Sequence, residues 1–212
     1  PLRRQRQMCI RDSYYVSGEI ANRDSLLVQT PESLKARFNL DVRPFHEVIQ
    51  ISPEEHTVTV RHDGKEFTES YDKLILSPGA KPFVPTIEGL AEAKNAYTLR
   101  NVPDLDEIMA ALDNYPKEAV IIGAGFIGLE MAENLAKRGL QVTIVEKAPH
   151  VLPSLDQEMA AFVQAELVKN SVRVITSQSA TRFEEQGKVI VLENGQKITS
   201  CLLYTSDAAD EE

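Results

Sequence analysis

The second half of the chain alternates short apolar runs with longer segments of helical periodicity. The apolar runs cover residues 119–122, 142–145 and 172–175, and the helical segments cover residues 126–138 and 156–169. The order is strand, helix, strand, helix, strand. Because this alternation requires parallel strands joined by right-handed crossovers, we predict an α/β fold that contains half of a doubly wound, nucleotide-binding sheet.

The first half shows a different pattern, in which short helices flank alternating segments. Thr30, followed by Pro31 and Glu32, predicts a capped helix that runs to Phe38, and residues 103–112 predict a second helix.

Alternation of apolar and polar residues predicts a small antiparallel ribbon in the same half. Its strands are expected at residues 47–51, 57–60 and 66–68, with a turn at Asp63-Gly64. A further hairpin is expected around Asn194-Gly195, near the other end of the chain.

Residues 74–76, Leu-Ile-Leu, are wholly apolar and predict a brief buried strand. This strand is expected to lead into a turn at Ser77-Pro78-Gly79-Ala80.

The two ends of the chain can be encoded by complementary DNA. Residues 8–12 can be written as ATG TGT ATA AGA GAC, and the reverse complement, in a shifted frame, encodes residues 202–205. The match is similar to a transposase-type sequencing adapter translated at both ends. We therefore expect residues 1–13 and 201–212 to be foreign to the rest. The alternative, an Arg-rich arm and an acidic tail, gives no reason for the ends to be complementary.

Both cysteines, Cys9 and Cys201, lie in these end segments, so we discount a disulfide or redox role for them. The remaining residues 14–200 hold 19 basic and 27 acidic residues, close to the balance of the whole 212-residue chain with its net charge of -9. An acidic protein is a poor match for nucleic acid. Without an 18-residue apolar run or an export signal, we expect no membrane association and a cytoplasmic location.

A glycine-rich segment, Gly123-Ala124-Gly125-Phe126-Ile127-Gly128, follows a predicted strand and opens a predicted helix. The first glycine permits a tight turn, the second permits close approach of a pyrophosphate, and Gly128 permits close packing of helix and strand. The helix N-terminus supplies amide donors and a positive dipole. The alternative is a purely structural tight turn.

Glu146 ends the next predicted strand, 23 positions after Gly123. Its carboxylate is placed to accept hydrogen bonds from both hydroxyls of an adenosine ribose and to repel a 2′-phosphate. We therefore predict NADH rather than NADPH as the cofactor. The adjacent Lys147 reduces this preference.

Other polar and aromatic residues admit two interpretations. Glu130 either lies near the nicotinamide end of the cofactor or satisfies the helix dipole, and Phe126 is otherwise an ordinary core aromatic. The histidines lack metal-ligand spacing, so we predict no metal site. They are His46, His56, His62 and His150.

The chain resembles the pyridine nucleotide-disulfide oxidoreductases, in particular the branch that contains coenzyme A disulfide reductase, NADH oxidase and persulfide reductase. The resemblance covers nearly all of residues 14–200. Its most specific stretches are residues 27–32, 71–80, 98–101 and 123–130.

The resemblance implies an incomplete FAD-binding domain over residues 14–112 and a nearly complete NADH-binding, Rossmann-like domain over residues 113–200. It also implies a role for Phe126 as a gate over the flavin and for Glu130 beside the flavin and nicotinamide. The FAD-binding residues that it implies are Val48, Ser77, Pro78, Gly79, Ala80 and Arg100. Lys35 or Arg37 would hold coenzyme A phosphates, unless they are simply solvated.

Members of this branch carry a redox cysteine in a Cys-Gly-Leu-Pro-like turn, where this chain has Ile10-Arg11-Asp12-Ser13. We interpret this difference as truncation within the foreign segment. The resemblance implies that the parent is a homodimeric enzyme that passes hydride from NADH to FAD and then electrons to a disulfide such as coenzyme A disulfide, or to a persulfide. The alternatives are an NADH oxidase or peroxidase of the same fold, or a nonproductive NADH-binding fragment.

Overall fold

The computed structural model describes residues 11–79 and 84–205. Its helices and strands, in chain order, are α1 (residues 11–17), α2 (Pro31–Phe38), β1 (Glu47–Ser52), β2 (Thr57–His62), β3 (Lys65–Ser70), β4 (Ala96–Tyr97), α3 (Val102–Leu112), β5 (Glu118–Ile122), α4 (Phe126–Lys137), β6 (Gln141–Val145), α5 (Gln157–Lys169), β7 (Arg173–Ile175), β8 (Ala180–Glu184), β9 (Val189–Leu192), β10 (Lys197–Thr199) and β11 (Leu202–Thr205).

The chain divides into two compact units. The ribbon unit comprises Leu27–Lys81, and the α/β unit comprises Pro1–Leu26 together with Pro82–Glu212. These limits differ from the domain boundaries expected from the family resemblance, because residues 14–26 and 84–112 both belong to the α/β unit. The expected boundaries refer to cofactor-binding domains and stay a prediction.

The α/β unit is built on a parallel sheet with the strand order β4-β11-β5-β6-β7. The predicted order of strand, helix, strand, helix, strand is confirmed by β5 through β7 with α4 and α5 between them. The α/β fold class predicted from the sequence is therefore confirmed.

The two faces of the parallel sheet are covered by different kinds of structure. Along β5, Ala119 and Ile121 belong to the same core as residues of α1, α3, α4 and α5. Val120, between them, packs in a second core with Phe183 and Ile190 of a three-stranded antiparallel sheet formed by β8, β9 and β10. Since successive side chains of a strand point to opposite faces, this alternation buries both faces.

Helix α1 packs against α4 within the α/β unit. The Arg138 guanidinium, just beyond the end of α4, donates to the Val16 carbonyl at 2.6 Å, and the Lys137 ammonium lies 2.8 Å from the carboxylate of Glu19, which follows α1. Asp12 of α1 is buried, and this burial raises the pKa of its carboxyl to about 6.

The ribbon unit confirms the predicted antiparallel ribbon, with β2 in the centre of a three-stranded sheet. Asp63 and Gly64 both have positive φ, 48° and 73°, as a two-residue hairpin turn requires. The predicted helix is also present as α2, whose cap residue Thr30 accepts from the Ser33 amide at 3.2 Å.

The predicted strand at residues 74–76 is wrong, because these residues form coil. Ile75 is 89% exposed, and Leu74 and Leu76 are exposed as well. A wholly apolar strand needs hydrogen-bonded neighbours and covered faces. Among the described residues of the ribbon unit, no strand pairs with this segment.

The segments expected to be foreign contain ordered structure in the described part of the chain. Residues 202–205 form β11, in the interior of the parallel sheet, and their side chains are buried. The interpretation of these residues as a translated adapter, foreign to the rest of the chain, stays a prediction. The sequence Leu-Leu-Tyr-Thr suits a central strand whatever its origin, because apolar and β-prone residues are what that position requires.

Candidate dinucleotide site

The turn between β5 and α4 is shaped by two glycines. Gly123 has a φ of 103°, a conformation that L side chains rarely adopt, and its N–H donates to the Val145 carbonyl at 2.9 Å. A Cβ built on Gly128 would lie 2.3 Å from the Gly123 carbonyl oxygen. The absence of side chains at these two positions therefore lets α4 begin directly against the end of β5.

The N-terminus of α4 differs from those of α2, α3 and α5. Helices α2 and α3 begin with capping boxes at Thr30 and Asn101, and α5 also lacks a side-chain cap hydrogen bond but begins at Asp156 and carries Glu158 in its first turn. Helix α4 begins at the extended Gly125, without a side-chain cap among the described residues and without an acidic residue in its first turn. Among the described residues, no side chain of the cap position or the first turn of α4 therefore neutralises its amide donors and positive dipole, which suits an anionic ligand.

Glu146 lies at the end of β6, beside this turn. It is only 8% exposed. One carboxylate oxygen accepts from the Ala124 amide at 2.6 Å, and the other accepts from the Ala148 amide at 2.7 Å. The carboxylate thus lies at the carboxyl end of β6, where ribose recognition is predicted, but both of its oxygens already accept backbone hydrogen bonds.

The segment after β6 packs against the glycine turn. The Leu152 amide donates to the Ala124 carbonyl at 2.9 Å, and the side chains of Val151 and Leu152 are buried. Lys147 is exposed at the start of this segment. The contacts of Ala148 and Leu152 could not be found from the sequence, because backbone donors and acceptors leave no residue-specific signal.

Phe126, Ile127 and Glu130 occupy the first two turns of α4. Phe126 is 36% exposed, Ile127 packs against the core below the helices, and Glu130 is partly buried. Since residues four apart share a helix face, Phe126 and Glu130 lie on the same side of α4. Their roles beside nicotinamide and flavin stay predictions.

The strand order places this site at a reversal in the sheet. From β5 the chain proceeds through β6 to β7 on one side, whereas β11 lies on the other side of β5. Ligands of open α/β sheets bind outside the carboxyl ends of the strands at such a reversal. The glycine turn and Glu146 both lie at that edge.

The residues expected to bind FAD lie in different parts of the described structure, and their role stays a prediction. Val48 lies on β1 with half of its surface exposed, and residues 77–79 lie in exposed coil. Ala80 lies outside the described residues. Arg100 belongs to the α/β unit, where it is exposed and its amide donates to the Asp104 carboxylate at 2.9 Å.

The other residues singled out from the sequence have local surroundings of their own. Lys35 and Arg37 are exposed on α2, where the Arg37 guanidinium lies 5.1 Å from the centre of the Phe38 ring. Cys201 is exposed beside the start of β5, at the opposite end of that strand from the glycine turn. Cys9 lies outside the described residues.

The histidines are accounted for by local contacts. The rings of His46 and His62 stack with their centres 3.9 Å apart, and the His56 ring stacks on Tyr71. The His150 Nδ1 lies 2.9 Å from the Val151 carbonyl. In the part of the chain that the structure describes, no three His, Cys, Asp or Glu residues cluster as metal ligands would. Nor does any described helix have the length and apolar character needed to cross a membrane.

Comparison with known proteins gives the same fold and a consistent set of relatives. A profile described as pyridine nucleotide-disulphide oxidoreductase matches residues 9–206. An NADH oxidase of Methanocaldococcus jannaschii is 37% identical over 179 residues, which cover 83% of this chain and 40% of that protein. A coenzyme A disulfide reductase of Staphylococcus haemolyticus is 38% identical over 158 residues, which cover 73% of this chain and 35% of that protein.

A solved structure matches over almost the whole chain. The crystal structure of reduced Bacillus anthracis CoADR-RHD superposes with a TM-score of 0.91 at 46% identity, covering 93% of this chain and 36% of that one. This chain therefore spans about two fifths or less of the length of each of these relatives.

Proposed function

Because this chain belongs to the pyridine nucleotide-disulphide oxidoreductase family, we propose that its α/β unit is the NADH-binding part of a flavin-dependent oxidoreductase. The observation that carries this proposal is the glycine turn. Gly128 allows α4 to start against the Gly123 carbonyl, and no side chain among the described residues caps that helix. The pyrophosphate of the dinucleotide would accept hydrogen bonds from amides at this end of α4.

The remaining binding residues follow from their positions around the turn. Glu146 would accept from the ribose hydroxyls with the lone pairs that its backbone contacts leave available. A 2′-phosphate would meet the same carboxylate, so NADH is preferred over NADPH, and the exposed Lys147 reduces that preference. Phe126 and Glu130 would face the nicotinamide end from the first turns of α4.

In the whole protein, NADH would reduce FAD, and the reduced flavin would deliver two electrons to a disulfide such as coenzyme A disulfide. NADH, a proton and one disulfide would then give NAD⁺ and two thiols. The name of the Staphylococcus haemolyticus relative supports this acceptor. Such an enzyme would also use a redox cysteine, which the family resemblance places where this chain has Ile10-Arg11-Asp12-Ser13, and it would act as a homodimer.

Two other functions have support of their own. The Methanocaldococcus jannaschii relative is named NADH oxidase, which favours oxygen or peroxide as the electron acceptor. The exposed coil at residues 74–79 favours a chain that binds NADH without completing a flavin site. The dinucleotide site is common to all three functions.

Calorimetric titration of the 212-residue chain with NADH and with NADPH tests the proposal. We expect a binding heat with both and an affinity about tenfold higher for NADH, because the second ligand brings a phosphate close to the Glu146 carboxylate. Reduced nicotinamide mononucleotide, which lacks the adenosine and the pyrophosphate, is the control and should bind more weakly than either. The absence of heat with both dinucleotides would contradict the proposal.

A further inference from the structure

We propose that Glu146 is a positioning residue that assembles the dinucleotide site before any nucleotide binds. This role deepens the proposed function and rests on it for its biological meaning. The carboxylate accepts from the Ala124 amide at 2.6 Å and from the Ala148 amide at 2.7 Å, and it is almost wholly buried. One side chain thus joins the glycine turn after β5 to the segment after β6.

The main chain of Glu146 extends the connection to a third segment. Its amide donates to the Ile175 carbonyl at 2.8 Å, and its carbonyl accepts from the Gln178 amide at 3.1 Å. The Ser177 amide donates to the Ala148 carbonyl at 2.9 Å. The segments that follow β5, β6 and β7 are therefore held together around one residue at the carboxyl edge of the sheet.

Ala124 is held from both sides by this arrangement. Its amide donates to Glu146, its carbonyl accepts from Leu152 at 2.9 Å, and its side chain is fully buried. Fixing both polar groups of Ala124 fixes the direction of the peptide planes that lead into α4. Those peptide planes aim the amides that a pyrophosphate would contact.

Two effects of the carboxylate on an anionic ligand oppose each other. Its negative charge repels a nearby pyrophosphate, so removing the charge alone would tighten binding. Its hydrogen bonds hold the binding amides in place, so removing those bonds would weaken binding. The direction of the change therefore separates a positioning role from a simple charge effect.

Glutamine at this position keeps the shape of the side chain but not its bonding. Its amide has a single acceptor oxygen, so it can accept from the Ala124 amide or from the Ala148 amide but not from both. Its NH₂ group would face the second backbone N–H, and two donors cannot satisfy each other. We therefore expect Glu146→Gln to release one of the two segments.

Amide hydrogen exchange in the absence of nucleotide is the direct test. In Glu146→Gln, we expect protection of the Ala124 or Ala148 amide to fall about tenfold or more, while the amides in the middle of β5 and β6 keep theirs. Glu158→Gln, in the exposed first turn of α5, removes an equal charge outside the site and should leave both amides protected. Unchanged protection of both amides in Glu146→Gln would overturn the proposal.

Titration with inorganic pyrophosphate provides the second readout. We expect Glu146→Gln to bind this probe several-fold more weakly than the unchanged chain and Glu158→Gln to bind it equally well. Tighter binding by Glu146→Gln would show that charge repulsion dominates, and it would overturn the positioning role. If Glu146→Gln does not fold, Glu146→Asp is the second variant to measure. It keeps the negative charge on a shorter side chain that cannot reach both backbone amides. Retained protection of the Ala124 and Ala148 amides in Glu146→Asp would overturn the proposal.

The outcomes for the two proposals remain distinguishable. Loss of amide protection in Glu146→Gln, together with no NADH binding by the unchanged chain, would leave the positioning role in place and remove the proposed function. NADH binding by the unchanged chain, with full protection of both amides in Glu146→Gln, would support the proposed function and overturn the positioning role.

Discussion

Gly128 determines how closely α4 can approach β5. A methyl group at this position would lie 2.3 Å from a backbone oxygen, and the neighbouring Gly123 is held by its own hydrogen bond to Val145. Backbone atoms cannot rotate away as a flexible side chain could. A single hydrogen atom in place of a methyl group thus permits the geometry on which the dinucleotide site depends.

Gly128→Ala is expected to lower both stability and NADH affinity. The added methyl group must displace α4 from β5, which costs about 1 to 3 kcal/mol in the free energy of unfolding and moves the helix N-terminus away from the pyrophosphate. Chemical denaturation measures the first effect, and NADH calorimetry measures the second.

The matched control for Gly128→Ala is Glu133→Ala, on the exposed side of the same helix. It removes an ion pair with Lys137 at 2.8 Å, and such exposed pairs contribute about 0.5 kcal/mol or less. Equal losses of stability in the two variants would show that the close approach of α4 to β5 is unimportant.

At the scale of elements, β11 ties the parallel sheet together. It pairs with β4 on one side and with β5 on the other, so among the described strands β4 joins the sheet through β11 alone. The residues of β11 also contribute to both cores, with Leu202 and Tyr204 on the helical face and Leu203 on the other. The chain therefore uses a segment of predicted foreign origin as a structural strand.

Leu203→Ala is expected to destabilise the α/β unit strongly. Leu203 is fully buried, between Ala96 of β4 and Val120 of β5. Removing its side chain leaves a cavity in the core, with a cost of about 3 kcal/mol in the free energy of unfolding. Val168→Ala, on the exposed side of α5, is the control and should change stability by about 0.5 kcal/mol or less. Similar stabilities for the two variants, measured by urea denaturation, would show that β11 is not packed in the sheet.

At the scale of the whole molecule, the two units differ in how completely they bury their apolar residues. The α/β unit has two continuous cores, one on each face of its sheet. The ribbon unit leaves large apolar side chains exposed, including Phe45, Val48 and Ile75. The hydrophobic effect therefore stabilises the first unit far more than the second.

We expect the purified chain to lack flavin and to reduce no coenzyme A disulfide. Residues 74–79 are exposed coil, and the family resemblance places the redox cysteine in a turn where this chain has Ile10-Arg11-Asp12-Ser13. The visible absorbance of the preparation reports bound flavin, and thiol release in the presence of NADH and added FAD reports activity. Yellow protein, or sustained NADH-dependent thiol release, would contradict this expectation.

Much of the α/β unit was predictable because its information is local. Periods of two and of 3.6 residues identify β5, β6, α4 and α5, and the glycine spacing identifies the turn between them. The position of Glu146 at the carboxyl end of the second strand of this unit was also predicted from the sequence. These assignments depend on covalent geometry and on neighbours in the sequence, which a single chain displays directly.

Three features were decided only by tertiary structure. Residues 74–76 carry the pattern of a buried strand, yet they form coil because a strand exists only with hydrogen-bonded neighbours. Residues 202–205 were expected to be foreign to the rest of the chain, and only the fold shows that they are buried in the sheet, a position that suits apolar, β-prone side chains regardless of their origin. The ribose-binding role of Glu146 stays a prediction, and only the fold shows that its carboxylate also accepts from the amides of Ala124 and Ala148. Backbone amides occur all along the chain, so the sequence could not show which of them the fold brings within reach.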